Sequence, residues 1–400
     1  MMKLILLPIV FLTLFTSVWA QAIPPKPYKL ADYNFVAGTQ MIGARYKFTK
    51  DSYLVEQAKQ IRGMGSNILK VTLGKNYFDS YPDLVKDSTI KSTLEIIKGQ
   101  KEYRKIFDMD FKYIFMWVHT LTGVKWLKPM SDQDKLKIYQ EMYDLAEYLL
   151  TEYSGSGKTF MIGNWEGDWL LHGMGKSNVD PSDERVNAMT DWFKIRQKAI
   201  DHAKRKTPHS DVDLFYYVEV NLVKKGLQGK TCITESILEN VNPDMVSYSS
   251  YEAIKKHPNY ESLKSTLGEL MDYIESKLKH KENIPFKRRV FIGEYGYQVS
   301  RRNSKEDQCR QTKDVIKASL ELNLPFALHW EMYNNEYGNK GESKGMSLIN
   351  EEGEKKPVYY LHRNYYKKLN EYLFSYMKKN GHYPSTSEFR RKAVDILDSI

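Results

Sequence analysis

The sequence predicts a single-domain α/β chain of the (β/α)8, TIM-barrel class, and three observations carry that prediction. Eight short runs rich in β-branched and aromatic residues alternate with eight longer runs whose apolar residues recur at helical spacing. No GxGxxG and no GxxxxGKS/T follows the first strand, so a doubly wound nucleotide-binding sheet lacks its signature. No Pro-, Gly- or Ser-rich linker divides the chain, so its 400 residues read as one barrel with additions.

A proline-rich lead, Ile23-Pro24-Pro25-Lys26-Pro27, closes a segment at 21–33, and the barrel is expected over 34–377. Strand one is expected at 34–41 and a helix at 52–64. Strand two follows at 67–73, with a helix near 89–98, and strand three at 112–118. The next helix starts at Ser131, with Asp134 three residues on as a near capping box. Strand four is expected at 159–163. Asp180-Pro181 then reads as a cap with proline at the first helical position, opening a helix to about 206. Strand five is expected at 213–220 with a helix near 231–240, and strand six at 245–249 with a helix at 260–278. Strand seven is expected at 289–293 with a helix at 304–321, and strand eight at 325–329 with a helix at 358–377. The tail, 378–400, holds one short helix near 387–397, either packed on the outside or mobile.

The first twenty residues differ from the rest. A basic start, Met1-Met2-Lys3, precedes an apolar run from Leu4 to Phe15, and Val18 and Ala20 stand at −3 and −1 before Gln21. That is the layout of a secretory signal peptide at 1–20, with an uncleaved anchor as the alternative, and it predicts a secreted or periplasmic protein. No later apolar run is long enough to suggest stable membrane insertion. The chain carries a formal charge of +10. Its basic residues are scattered in short clusters such as Lys204-Arg205-Lys206 and Arg390-Arg391-Lys392, which suits solvated helix ends better than a nucleic-acid footprint. Two cysteines, Cys232 and Cys309, lack metal-site spacing, and the sequence leaves open whether they pair. Nothing in it fixes an oligomeric state.

In such a barrel, chemistry belongs at the C-terminal ends of the strands. Strand four exits as Gly163-Asn164-Trp165-Glu166-Gly167-Asp168-Trp169. Strand seven exits as Gly293-Glu294-Tyr295-Gly296, and strand eight as His329-Trp330-Glu331. Strand three ends with Trp117 and His119, strand five carries Glu219 and Asn221, and strand six gives Tyr248, Ser250 and Tyr251. Carboxylates mixed with many aromatics suit a carbohydrate partner. Rings stack on sugar faces, and two carboxyl groups can flank one glycosidic bond. Strands four and seven face each other across the mouth, so Glu166 and Glu294 are the candidate pair.

At these residues the chain resembles the large clan of retaining (β/α)8 glycoside hydrolases. Ile292-Gly293-Glu294-Tyr295-Gly296 is similar to the clan's nucleophile segment, and Trp330 to the aromatic that closes its sugar site. The strand-four exit departs from the pattern: Trp165 stands between Asn164 and Glu166, where the clan has Asn directly before the acid. The resemblance implies that Glu294 is the nucleophile and Glu166 the acid/base, with Glu166 holding the higher pKa, and that no cofactor or metal is required. It also implies a strand-six tyrosine, Tyr251 or Tyr248, bonded to the nucleophile.

Asn164, Asp168, Trp117, His119, His329, Trp330 and Glu331 are candidate sugar contacts, and Arg45, just past strand one, is a candidate to orient Glu294 and lower its pKa. Each also has a plainer role open to it: core packing for the tryptophans and histidines, a backbone bond or surface ion pair for the others. Two rival functions remain: a carbohydrate-binding barrel without catalysis, and a metal-dependent barrel hydrolase. The latter lacks an HxH after strand one.

Overall fold

Parallel strands joined in chain order can close on themselves only if the last pairs with the first, and here they do. In the computed structural model, which describes residues 29–122, 128–173 and 179–400, eight strands form a closed barrel. They are β1 (Ala37–Gln40), β2 (Ile68–Gly74), β3 (Tyr113–His119), β4 (Lys158–Gly163), β5 (Val212–Val220), β6 (Met245–Ser249), β7 (Val290–Tyr295) and β8 (Ala327–His329). Every neighbouring pair is parallel, and β8 returns to β1 through Ala37 opposite Ala327. The fold is the single-domain (β/α)8 barrel that the alternation predicts. The expected leader at 1–20 lies outside the described residues, as do 21–28.

Side-chain alternation divides the core in two. Along β3, Tyr113, Phe115 and Trp117 fill the barrel interior with Met161, Phe215, Tyr217, Phe291 and Phe326. Ile114, Met116 and Val118 face the other way and pack in the layer between strands and helices. That second layer is lined by the apolar faces of helices such as Asp132–Glu152, Asp183–Lys206 and Tyr260–Ser276.

Most expected helices stand where the periodicity puts them, with local differences. Ser182, not Asp180, caps the helix Asp183–Lys206: its hydroxyl accepts the Arg185 N–H. Asp180 instead pairs with Lys225 at 2.7 Å. The single helix expected near 231–240 is two turns, Ile233–Ser236 and Leu238–Val241, because Ile237 leaves helical geometry at φ −122°. Among the described residues five short helices stand where the sequence predicts none: Tyr77–Ser80, Lys101–Phe107, Gly167–Leu171, Val223–Leu227 and Tyr251–Ile254. The tail helix Thr386–Asp398 is packed. Phe389, Ala393 and Leu397 are buried, and the Arg390 guanidinium donates to the carbonyls of Ser319, Leu320 and Leu324. Cys232 and Cys309 are free thiols. Among the described residues no helix is long and apolar enough to cross a membrane.

Candidate active site

The strand ends open into a cleft of about 1090 Å³. Glu166 and Glu294 both line it, with Trp117, His119, Tyr251 and Trp330. Strict alternation from Phe291 and Gly293, which lie on the interior side, would turn Glu294 toward the helices. The ladder is irregular at this point, between Tyr248 and Ser249 on β6 and between Ile292 and Tyr295 on β7. Such an irregularity re-aims a side chain, and it delivers Glu294 to the cleft. It also carries β7 two residues beyond its expected end.

Hydroxyl groups hold both carboxyls. Ser249, whose Cα is registered opposite Glu294, donates to Glu166 Oε1 at 2.6 Å. Tyr251 donates to Glu294 Oε1 at 3.0 Å, while Tyr248 donates to Glu252 instead. Among the described residues Glu294 Oε2 has no hydrogen-bond partner. Burial raises Glu166 to about 7; the Glu219 charge adds to this, while the Ser249 hydroxyl and the Lys70 ammonium oppose it. Glu294 is also held well above the usual carboxylate range, by burial first and then by the charges of Glu166 and Glu219, with Lys70 and Tyr251 opposing. The more enclosed Glu294 faces two other carboxyls.

The aromatics form one corner of the cleft. The Trp117 and Trp330 rings lie 5.9 Å apart at 33°, and Trp165 meets Trp117 edge-on at 6.5 Å. The indole N–H groups of Trp117 and Trp330 are buried and have no acceptor among the described residues. His119 lines the cleft with its pKa pushed down to about 4 by burial and then by Arg196, so it is neutral at pH 7.

Other candidates are placed elsewhere. Arg45 sits exposed at the rim, and its guanidinium reaches the Asp79 carbonyl at 3.5 Å rather than Glu294; the cation that favours ionised Glu294 is the buried Lys70. Asn164 is turned from the cleft. Its amide accepts the Glu219 N–H at 3.2 Å and donates to the Glu219 carbonyl at 3.4 Å, tying β4 to β5. His329 is fully buried against Tyr295 and His362. Glu331 is fully buried behind Trp330, accepts the Asn335 N–H at 2.9 Å, and is held well above the usual carboxylate range by burial. Neither His329 nor Glu331 lines the cleft.

Asp168 also departs from the expectation of a sugar ligand. Its carboxylate accepts three backbone N–H groups, from Asn221 at 2.8 Å, Leu222 at 3.1 Å and Ile233 at 2.7 Å. It pins the loop after β5 under the cleft. Asp168→Ala should therefore cost on the order of 3 kcal/mol of stability, because three buried donors lose a charged acceptor. The KM for any substrate should stay near that of the wild type. A raised KM with an unchanged melting temperature would return Asp168 to substrate binding.

No protein-family model matches the chain, and no curated protein matches it. Solved structures do resemble it. One is a family 39 glycoside hydrolase from the gut symbiont Bacteroides cellulosilyticus WH2, at TM-score 0.51 and 12% identity, covering 84% of this chain and 64% of that one. This chain thus spans just under two thirds of that protein's length. Another is a GH5_18 variant from Streptomyces cattleya in complex with Manβ1-4GlcNAc, at TM-score 0.55 and 9% identity, covering 91% and 90% of the two chains. A third is a calcium-binding mutant of Bacteroides uniformis β-glucuronidase 2, at TM-score 0.51 and 11% identity, covering 86% of this chain and 35% of that one. The likeness is one of fold.

Several cleft residues escape sequence reasoning. Ser249, Glu252, Asn335 and Glu336 all line the wall. Ser249 ends a strand, so the rule that searches strand exits could have found it. Asn335 and Glu336 lie in the long segment after β8, which has no periodic pattern to place them.

Proposed function

We propose that this chain is an exported retaining glycoside hydrolase acting on an oligo- or polysaccharide. The observation that carries the reading is the carboxyl pair. Glu166 from the end of β4 and Glu294 from β7 are both nearly buried, share one cleft, interact electrostatically, and stand beside an aromatic corner. The fold likeness to glycoside hydrolases supports it.

In the first step a carboxylate oxygen of Glu294 attacks the anomeric carbon. Glu166 gives its proton to the leaving oxygen as the glycosidic bond breaks. In the second step Glu166 takes a proton from water, which attacks the same carbon and frees Glu294. The pair enters the cycle with one proton between them. Lys70 favours charge on both carboxyls and the Tyr251 hydroxyl bonds Glu294 alone, and the proton is assigned to Glu166, which burial raises to about 7. The neutral His119, which lines the cleft, is placed to bond a sugar hydroxyl.

Incubation with a panel of oligosaccharides tests the reading. Hydrolysis is expected, with a first-formed product that keeps the anomeric configuration. With Glu166 raised to about 7, the rate should fall as pH rises through neutrality and the acid loses its proton. Binding without cleavage would favour the non-catalytic barrel instead. Export has its own test: protein recovered from the natural host should begin near Gln21, and a start at Met1 would contradict cleavage.

A further inference from the structure

One level below the cleft, the barrel interior changes character. On β2, β5, β6 and β7 the interior residues Ile68, Tyr217, Met245 and Phe291 are apolar. Two residues further along each strand, on the same face, stand Lys70, Glu219, Ser247 and Gly293.

Lys70 and Glu219 are fully buried and joined Nζ to Oε2 at 3.0 Å. The Lys70 ammonium also donates to the Gly293 carbonyl at 2.9 Å and lies 4.2 Å over the Trp117 ring. Glu219 Oε2 accepts the Ser247 hydroxyl at 2.7 Å, and its Oε1 accepts the backbone N–H of Glu166 at 3.0 Å. Gly293 has no room for a side chain: a Cβ there would stand 1.6 Å from Ser247 Oγ and 2.9 Å from Glu219 Oε2.

A buried ion pair is a poor choice for stability alone, since well-packed apolar residues of similar volume usually serve as well or better. This one has another use. One end grips the carbonyl of the residue before Glu294, and the other grips the N–H of Glu166 itself. We propose that Lys70 and Glu219 are positioning residues that together fix the placement of the two cleft carboxyls and seat Trp117 beside them. The inference rests on the retaining-glycosidase reading above, because it assigns the pair a role in that reaction.

The test uses the full chain with Lys70→Met, Glu219→Gln and the double variant, assayed on the best glycoside from the panel. The double variant leaves no unpaired buried charge, so it carries the test where a single variant fails to fold. Its kcat should fall roughly 10²-fold, the scale of a small misplacement of reacting groups, while KM changes little. The single variants should move the pH profile in opposite directions. The charged and titratable groups facing Glu166 and Glu294 among the described residues include Lys70, Glu219, Asp168, Tyr251, Tyr217 and Glu331, together with each other. Loss of the Lys70 charge raises both carboxyl pKa values and shifts both limbs to higher pH. Loss of the Glu219 charge lowers them and shifts the limbs to lower pH.

A purely structural pair would lower the melting temperature and leave kcat and both limbs unchanged per folded molecule, which would overturn the inference. A folded double variant with wild-type kcat would do the same. A wild type that hydrolyses no glycoside would remove the catalytic reading and this inference with it. An active wild type beside unimpaired variants would remove this inference alone.

Discussion

Glu294→Ala should lower kcat by roughly 10⁵–10⁶-fold, the scale seen when a covalent nucleophile is removed. The residue supplies the atom that would bond to the sugar. Glu219 is committed to Lys70, Ser247 and the Glu166 N–H, and Glu331 is fully buried away from the cleft lining. Removing the side chain opens space where its oxygens stood. Azide entering there should attack the anomeric carbon directly and restore turnover, giving a glycosyl azide of inverted configuration. Product analysis by proton NMR checks this. Near-normal activity without azide would exclude Glu294 as the nucleophile.

Glu166→Ala should fail in a different way. Substrates with poor leaving groups need the proton that Glu166 supplies, so their kcat should fall by about 10²–10⁴-fold. Substrates with good leaving groups need little protonation and should still pass through the first step. The second step is then slow, because no base activates water, and the covalent intermediate should accumulate. Azide needs no base. It should attack that intermediate from the cleft side and give a product of retained configuration. Pre-steady-state kinetics should show a burst of the leaving group followed by slow turnover. The same defect for good and poor leaving groups would mean that Glu166 is not the acid.

The barrel was legible in the sequence because its strands carry dense β-branched and aromatic runs and its long helices are strongly periodic. The pair was legible because both glutamates follow such runs. The rest depended on facts that a sequence does not encode locally. Polar residues at strand exits can turn to the cleft or to the neighbouring backbone, and Asp168 and Asn164 turned to backbone. His329 and Glu331 went into the wall between elements. Lys70 read as an ordinary strand residue because its partner, Glu219, is 149 positions away. Tyr251 rather than Tyr248 reaches Glu294 because the short helix Tyr251–Ile254 begins just past the strand end. The rotation that points Glu294 into the cleft comes from a register irregularity, which alternation alone would miss.

The central claim is that a sugar becomes bonded to Glu294. The accumulating intermediate of Glu166→Ala tests it most directly. The variant would be mixed with a glycoside bearing a good leaving group, quenched in acid during the slow phase, digested and mapped by mass spectrometry. The account predicts one glycosyl mass added to the peptide that contains Glu294, and localised to that side chain by fragmentation. An adduct on another carboxylate, or an accumulating burst with no adduct anywhere on the chain, would contradict it.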